Sequence, residues 1–275
     1  MYSFKEHCKL KFEEDIYMTR VRCGHPHLLM NLGYEGIQII DPLAGTLVGK
    51  INYPEFDFSI YTWVVSPDGS LCYLFSPDEE KYALEIDLVK FKARNISLSE
   101  DFQAPTQLCW FLPNLRIIDY KFKIWELKEN AMIKADEQTT QNYYTKDYVR
   151  TLKRFVVEKM DPDSNGLYVR SREYPEKRIG YLTLEGDKGF LMEQDGSAID
   201  VARYQNSLFV AFNDEIIQYQ DGDARKVLDL PKDESFISIN VIIYKNIGYL
   251  NVVSSSKDYL NTPVATLKVY QIQND

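Results

Sequence analysis

Residues 22–27, Arg-Cys-Gly-His-Pro-His, concentrate the side chains with the most chemistry. With His7 and Cys8 they hold all three histidines and two of the four cysteines. Thiolate and imidazole are zinc ligands, and a structural zinc site takes four nitrogen or sulfur donors. Cys23, His25 and His27 are therefore the candidate metal ligands, with His7 and Cys8 as donors that another strand would have to bring. Cys-x-His-x-His is not a zinc-finger spacing, however, and Gly24 with Pro26 marks a tight turn that offers no cage. The segment reads as a surface turn with a half-buried thiol, and no metal or cofactor is expected.

Nucleophilic catalysis by serine or cysteine requires a histidine within reach of the nucleophile. The three N-terminal histidines are the whole supply, and no Gly-x-Ser-x-Gly accompanies them. Gly-x-Gly-x-x-Gly after a strand, a P-loop and His-Glu-x-x-His are missing as well. Carboxylate pairs arise by chance among 41 acidic residues, so they single out no site. No catalytic residue is assigned, and the chain reads as a non-enzyme. Residues 142–155, NYYTKDYVRTLKRF, mix basic and aromatic side chains, but Lys146, Arg150, Lys153 and Arg154 are flanked by acid. Phosphate binding needs a broader basic footprint, so no nucleic acid is expected.

At 275 residues the chain has room for two small domains or one large all-β domain, and it can bury ample core without disulfide or metal. Aromatic residues make up 13%, with 20 Tyr and 14 Phe, which suits strands. Cys8, Cys23, Cys72 and Cys109 lie far apart and form no Cys-x-x-Cys, which predicts reduced, core-filling thiols. The opening MYSFKEHCKLKFEED is charged and lacks the apolar centre of a secretory signal. No run reaches the roughly 18 apolar residues of a membrane span. A cytoplasmic protein off the membrane is the expectation. The net charge of −9 disfavours nucleic acid and anionic lipid and favours a basic partner.

One pattern recurs: a β-rich run, a tight turn, a second run, then an apolar-alternating run that ends in a polar turn. The clearest copy is residues 63–98, WVVSPDGSLCYLFSPDEEKYALEIDLVKFKARNISL. In its SPDG turn, Pro67 presets φ and Gly69 accepts a positive φ. Third runs with their hairpins align as GIQIIDPLAGTLVGKI from Gly36, YALEIDLVKFKARNIS from Tyr82 and FKIWELKENAMIKAD from Phe122. IGYLTLEGDKGFLME from Ile179, EIIQYQDGDARKVLD from Glu215 and ATLKVYQIQND from Ala265 continue the series, the last without its hairpin partner. The spacing of roughly 40–50 residues is that of four-stranded propeller repeats. First-to-second-strand turns align too: SPDG (66–69), LPN (112–114), MDPDSNG (160–166), YQNS (204–207) and YKNIG (244–248), with CGHPH in the same slot of the first unit.

In this pattern the chain resembles the β-propeller repeat proteins, over nearly its whole length, with SPDG as the most family-like turn. No Trp-Asp closes a third strand and Gly-His occurs only at 24–25, so it is not a typical WD-repeat protein. The resemblance implies an all-β, six-bladed β-propeller of four-stranded blades in one domain over residues 1–275. The blades fall roughly at 15–54, 58–99, 104–137, 148–193, 196–231 and 235–275. The last blade lacks a fourth strand, which CKLKFEE (8–14) would supply, closing the ring and removing exposed edges. A fused pair of small β domains is the competing architecture.

In such blades the inter-blade connections share a face with the second-to-third-strand loops. They read FEED (12–15), PEFDF (54–58), SEDF (99–102), ADEQ (135–138), EQD (193–195) and PKDES (231–235), each with at least two carboxylates. SPDEEK (76–81) and NDE (213–215) add to that face, whereas CGHPH, LPN, YQNS and PLAG leave the other nearly neutral. Tyr17, Tyr53, Phe56, Phe58, Phe102, Tyr143, Tyr144 and Phe236 are interleaved with the acid. An acidic field with aromatic anchors suits a basic protein partner. The candidate binding residues are Glu55, Phe56, Asp57, Glu100, Asp101, Phe102, Asp136, Glu137, Tyr143, Tyr144, Asp233 and Glu234. Residues 137–148 form the longest connection, a natural place for a functional insertion. A small acidic propeller without catalytic motifs is similar in profile to bacterial immunity and inhibitor proteins, which implies a basic toxin as the partner. The alternative is a hydrolase or lactonase with a metal or carboxylates in the central channel.

Overall fold

The computed structural model describes residues 2–53, 62–75, 82–102, 105–111, 115–119, 123–136, 155–161, 166–171, 178–183, 189–193, 198–257 and 264–274. In chain order a long strand β1 (Tyr2–Phe12) precedes the meander β2 (Met18–Arg22), β3 (His27–Asn31), β4 (Ile37–Asp41) and β5 (Thr46–Ile51). The next meander is β6 (Thr62–Val65), β7 (Leu71–Phe75), β8 (Tyr82–Asp87) and β9 (Lys92–Leu98). There follow β10 (Pro105–Phe111), β11 (Leu115–Asp119), β12 (Ile124–Lys128) and β13 (Ala131–Lys134). Then come β14 (Phe155–Asp161), β15 (Gly166–Ser171), β16 (Arg178–Thr183) and β17 (Gly189–Glu193). The series ends with β18 (Asp200–Tyr204), β19 (Ser207–Ala211), β20 (Glu215–Gln220) and β21 (Asp223–Asp229), then β22 (Glu234–Tyr244), β23 (Ile247–Ser256) and β24 (Ala265–Asn274). The third strands fall where the repeat sets them.

Burial explains why these segments are strands. Second strands lie between neighbours in their sheets and have largely apolar centres: β19, Ser-Leu-Phe-Val-Ala, is wholly buried. The fourth strand β21 lies at the edge of its sheet and is polar, its first four residues exposed. The third-to-fourth-strand hairpins have local causes as well. Asp41 Oδ1 accepts the amides of Leu43 (2.9 Å) and Ala44 (3.0 Å), and Gly45 closes the loop at φ +67°. In the SPDG turn Asp68 accepts from the Ser66 hydroxyl (2.6 Å) and the Ser70 amide (3.0 Å), which hold its carboxyl below the usual range. Gly69 sits there at φ +67°.

The chain divides into two compact units, one built from Met1–Asn52 with Gly196–Asp275 and the other from Tyr53–Asp195. The first unit contains three four-stranded sheets, β2–β5, β18–β21 and the sheet ordered β1-β24-β23-β22. Its cores include Leu28, Met30, Ile242, Val253 and Leu267 in one cluster and Phe209, Ile239, Leu250 and Val252 in another. In the second unit β14–β17 form one sheet, but the other two meanders are not separate. β13 pairs in parallel with β9, Ala131 opposite Ser97 and Met132 opposite Leu98, giving one eight-stranded sheet. The Ser97 amide donates to Asn130 O (3.0 Å), and Arg94 Nη1 to Asn130 Oδ1 (2.6 Å). Two edges that would each expose unpaired amides thus satisfy one another.

The N-terminal strand pairs antiparallel with β24, from Tyr2 opposite Asn274 to Phe12 opposite Ala265, with a bulge between Glu6 and Cys8. It starts six residues before the expected 8–14 and ends at Phe12 because its anchors are Tyr2 and Phe4. The Tyr2 ring is buried edge-on to Tyr204 at 5.3 Å, its hydroxyl donates to Gln205 Oε1 (2.7 Å) and its amide to Gln218 Oε1 (3.3 Å). Phe4 meets Phe209 at 5.6 Å.

Tyr2→Ala should therefore cost about 3 kcal/mol in urea unfolding by removing a buried ring, and Tyr2→Phe should retain most of that. Deleting residues 2–12 should cost more than Tyr2→Ala, because it also uncovers the β24 edge.

Candidate functional site

The first strands β2, β18 and β22 each pair on one side only, so their other edge must find side-chain partners. Asp200 supplies them for β22: its Oδ2 accepts the Ile239 amide (2.8 Å) and the Ser238 hydroxyl (3.0 Å). The chain of donors runs back through the sheets. Asn240 Nδ2 donates to Thr19 Oγ1 (2.6 Å), and Thr19 Oγ1 donates to Ser238 Oγ (2.7 Å). Every proton in this relay points toward the carboxylate, which ties β2, β22 and β18 together. Thr19, Ser238 and Asn240 are buried, so the relay is structural, and its hydrogen bonds are stronger for the low dielectric around them.

The Arg-Cys-Gly-His-Pro-His segment is the β2–β3 hairpin, with Gly24 at φ +69°. Cys23 is buried, while the imidazoles of His25 and His27 stack on each other at 5.4 Å. Arg22 Nη1 lies 3.3 Å from His27 Nδ1. A guanidinium can only donate, so Nδ1 is the acceptor and His27 is neutral with its proton on Nε2. His7 is engaged elsewhere, 3.1 Å from Leu43 O and edge-on to Tyr249. Among the described residues no three His, Cys, Asp or Glu side chains gather as a metal-holding group.

The acidic connections have a partly different make-up from the expected one. Glu100, Asp101 and Asp136 are exposed in the second unit. Phe102 is a correction: it is 7% exposed and packs between Trp125 (5.1 Å) and Phe75 (6.3 Å), so it is a core ring and no surface anchor. Apolar surroundings on two strands, invisible from the local acid-rich sequence, draw it inward. In the first unit Asp233 is exposed, but Glu234 is half-buried and occupied by Ser254 Oγ (2.6 Å) and Lys268 Nζ (3.2 Å). Phe236 is buried as well. Glu55, Phe56, Asp57, Glu137, Tyr143 and Tyr144 lie outside the described residues.

Within the first unit the connections do lie against the second-to-third-strand loops. The Leu230 amide donates to Asp214 O (2.7 Å) and the Lys257 amide to Asp233 O (2.7 Å). The β1–β2 connection presents Glu13, Glu14 and Asp15, all exposed, followed by Tyr17 at 53% exposure. Tyr17 packs against Gly33, where an added Cβ would fall 2.8 Å from its ring. A glycine floor thus fixes an exposed aromatic beside three carboxylates.

The chain is similar in structure to the β-propeller domain of Cps50 (Swd1) from Myceliophteria thermophila, with a TM-score of 0.63 over 97% of this chain and 99% of that one, at 12% sequence identity. The fold is a β-propeller. No family model matches the chain, and no curated protein matches it in sequence. Among the described residues of the propeller no helix is long and apolar enough to cross a membrane.

The propeller's polar relay was not foreseen from the sequence, although polar Thr19, Ser238 and Asn240 standing in apolar runs were its trace. Its histidine pair has a consequence for stability. Burial pushes the His25 and His27 imidazoles below their ordinary value, and the Arg22 charge pushes them further; His25 adds to the effect on His27, and Asp41 partly opposes it. The unfolded chain therefore binds protons more readily. Stability should be level above the ordinary imidazole value of about 6.5 and fall as pH drops through the depressed folded values. His27→Gln, which keeps an acceptor for Arg22, should flatten the melting-temperature profile between pH 7 and 5.

Proposed function

We propose that this propeller is a non-catalytic, cytoplasmic protein-binding module that engages a basic protein, a toxin in the immunity-protein manner, through its acidic inter-blade connections. On this reading it has six four-stranded blades and is closed by β1 on β24. The observation that carries the proposal is the set of exposed carboxylates, Glu13, Glu14, Asp15, Glu100, Asp101, Asp136 and Asp233, in four of the connections of a chain with net charge −9. Such a field accelerates encounter with a positively charged surface, and a rigid aromatic in it supplies the anchor. Tyr17, held over Gly33 beside the acid, takes the anchoring role assigned to Phe102 from sequence.

Affinity capture from the native cell should yield one stoichiometric basic protein. In surface-binding kinetics Glu100→Lys with Asp101→Lys should slow its association and weaken the salt dependence. Tyr17→Ala should speed dissociation, at a cost of about 2 kcal/mol. His25→Ala with His27→Ala should leave the affinity unchanged. An acidic partner, or a basic one indifferent to charge reversal and to Tyr17, overturns the proposal. A captured small molecule turned over by the propeller would favour the hydrolase alternative.

A further inference from the structure

The β4–β5 and β8–β9 hairpins are built alike but differ in the residue that closes the loop. Each has an aspartate as the last residue of the third strand, a four-residue loop, and a left-handed residue just before the fourth strand. Asp87 Oδ1 accepts the amides of Val89 (2.9 Å) and Lys90 (2.8 Å), as Asp41 does in the first sheet. The left-handed residue is Gly45 in one hairpin, at φ +67°, and Phe91 in the other, at φ +54°. Glycine takes that conformation without penalty, whereas a bulky side chain is strained there. Of the six non-glycine residues with positive φ among the described residues, the other five are polar: Glu129, Gln205, Asp221, Lys245 and Asn246.

Much of the tip remains in water. Phe91 is 36% exposed and Val89, two residues before it, is 63% exposed. The loop is nonetheless fixed from below, because Leu88 is fully buried and its amide donates to Ser70 O (2.8 Å). Lys90 and Lys92, both exposed, flank the ring, and Lys90 meets Asp87 at 3.0 Å. A rigid apolar knuckle between two lysines thus stands out from a protein of net charge −9. Strain kept at an exposed position points to function.

We propose that the tip formed by Val89, Lys90, Phe91 and Lys92 is a second docking point, one that takes an acidic protein segment bearing an apolar side chain. The lysines complement its carboxylates, and Phe91 with Val89 receives its apolar group. This site goes beyond the acidic connections proposed above: β9 runs from the basic tip at Lys92 to Leu98, just before Glu100 and Asp101, so one strand leads from a surface for negative partners to a surface for positive ones.

Fluorescence anisotropy with a labelled peptide of Asp, Glu and Leu residues tests it. The full chain should bind saturably and more weakly as salt rises. Phe91→Gly should reduce the affinity at least tenfold while leaving the melting temperature unchanged or raised, since the left-handed strain is relieved. Lys90→Glu with Lys92→Glu should abolish binding, and Glu100→Lys with Asp101→Lys should not weaken it, which separates this site from the acidic one. Absence of binding overturns the proposal. So does a melting temperature lowered by Phe91→Gly, which would make the ring a packing element. Self-association in sedimentation that Phe91→Gly removes would assign the knuckle to a second copy and overturn it as well.

Discussion

The antiparallel pairing of β1 with β24 is the constraint on which the first unit depends. It joins the first strand to the last along ten residue pairs, from Tyr2 with Asn274 to Phe12 with Ala265. Without it the sheet of β22, β23 and β24 would have an open outer edge, and Cys8, Leu10 and Phe12 would no longer pack on the cluster that holds Leu28, Ile242 and Leu267. The relay through Asp200, Ser238, Thr19 and Asn240 gives side-chain partners to the open edges of first strands, as β1 gives backbone partners to the edge of β24. Edge satisfaction organises this unit as much as the burial of apolar surface.

Edges in the second unit are handled differently. There β9 and β13 pair with each other in parallel, and the turn at Asn130 is held by Arg94, itself bonded to Glu85. Where an edge stays open, charge guards it. The exposed residues of β1 include Lys5, Lys9 and Lys11, and those of β21 include Arg225 and Lys226, which another strand would have to desolvate in order to add on. The acidic connections and the lysine-bearing edges therefore divide the charge of the chain by position in the sheet, although its net sign is negative.

Third strands and their hairpins were legible because their signals are local. A β-run ending in Asp and followed four residues later by a loop-closing residue, as in IIDPLAG and EIDLVKF, encodes its own geometry. The true start of β1 was not legible, because Tyr2 and Phe4 sit among charged residues and acquire their meaning from Tyr204, Gln205 and Phe209, some two hundred positions away. Phe102 and Phe91 show the same limit from opposite sides. Phe102 sits in an acidic loop, as a surface ring would, yet it is buried by Phe75 and Trp125. Phe91 has the sequence surroundings of an ordinary strand residue, yet it stands at an exposed, strained position. Exposure of an aromatic is a property of the neighbouring strands, and parallel pairing such as that of β13 with β9 leaves no trace in either segment alone.

Ribosomal synthesis proceeds from the amino end, so residues 2–12 emerge long before residues 265–274 exist. Among these strands, the earliest made has the latest made as its partner. Through the whole of that interval β1 waits as an unpaired, strand-competent segment beside a growing set of sheets, and association with the wrong edge is the hazard. The lysines at 5, 9 and 11 are exposed on that strand. Desolvating them opposes pairing with a wrong edge, so the charge that guards the finished strand suits the wait for β24 too.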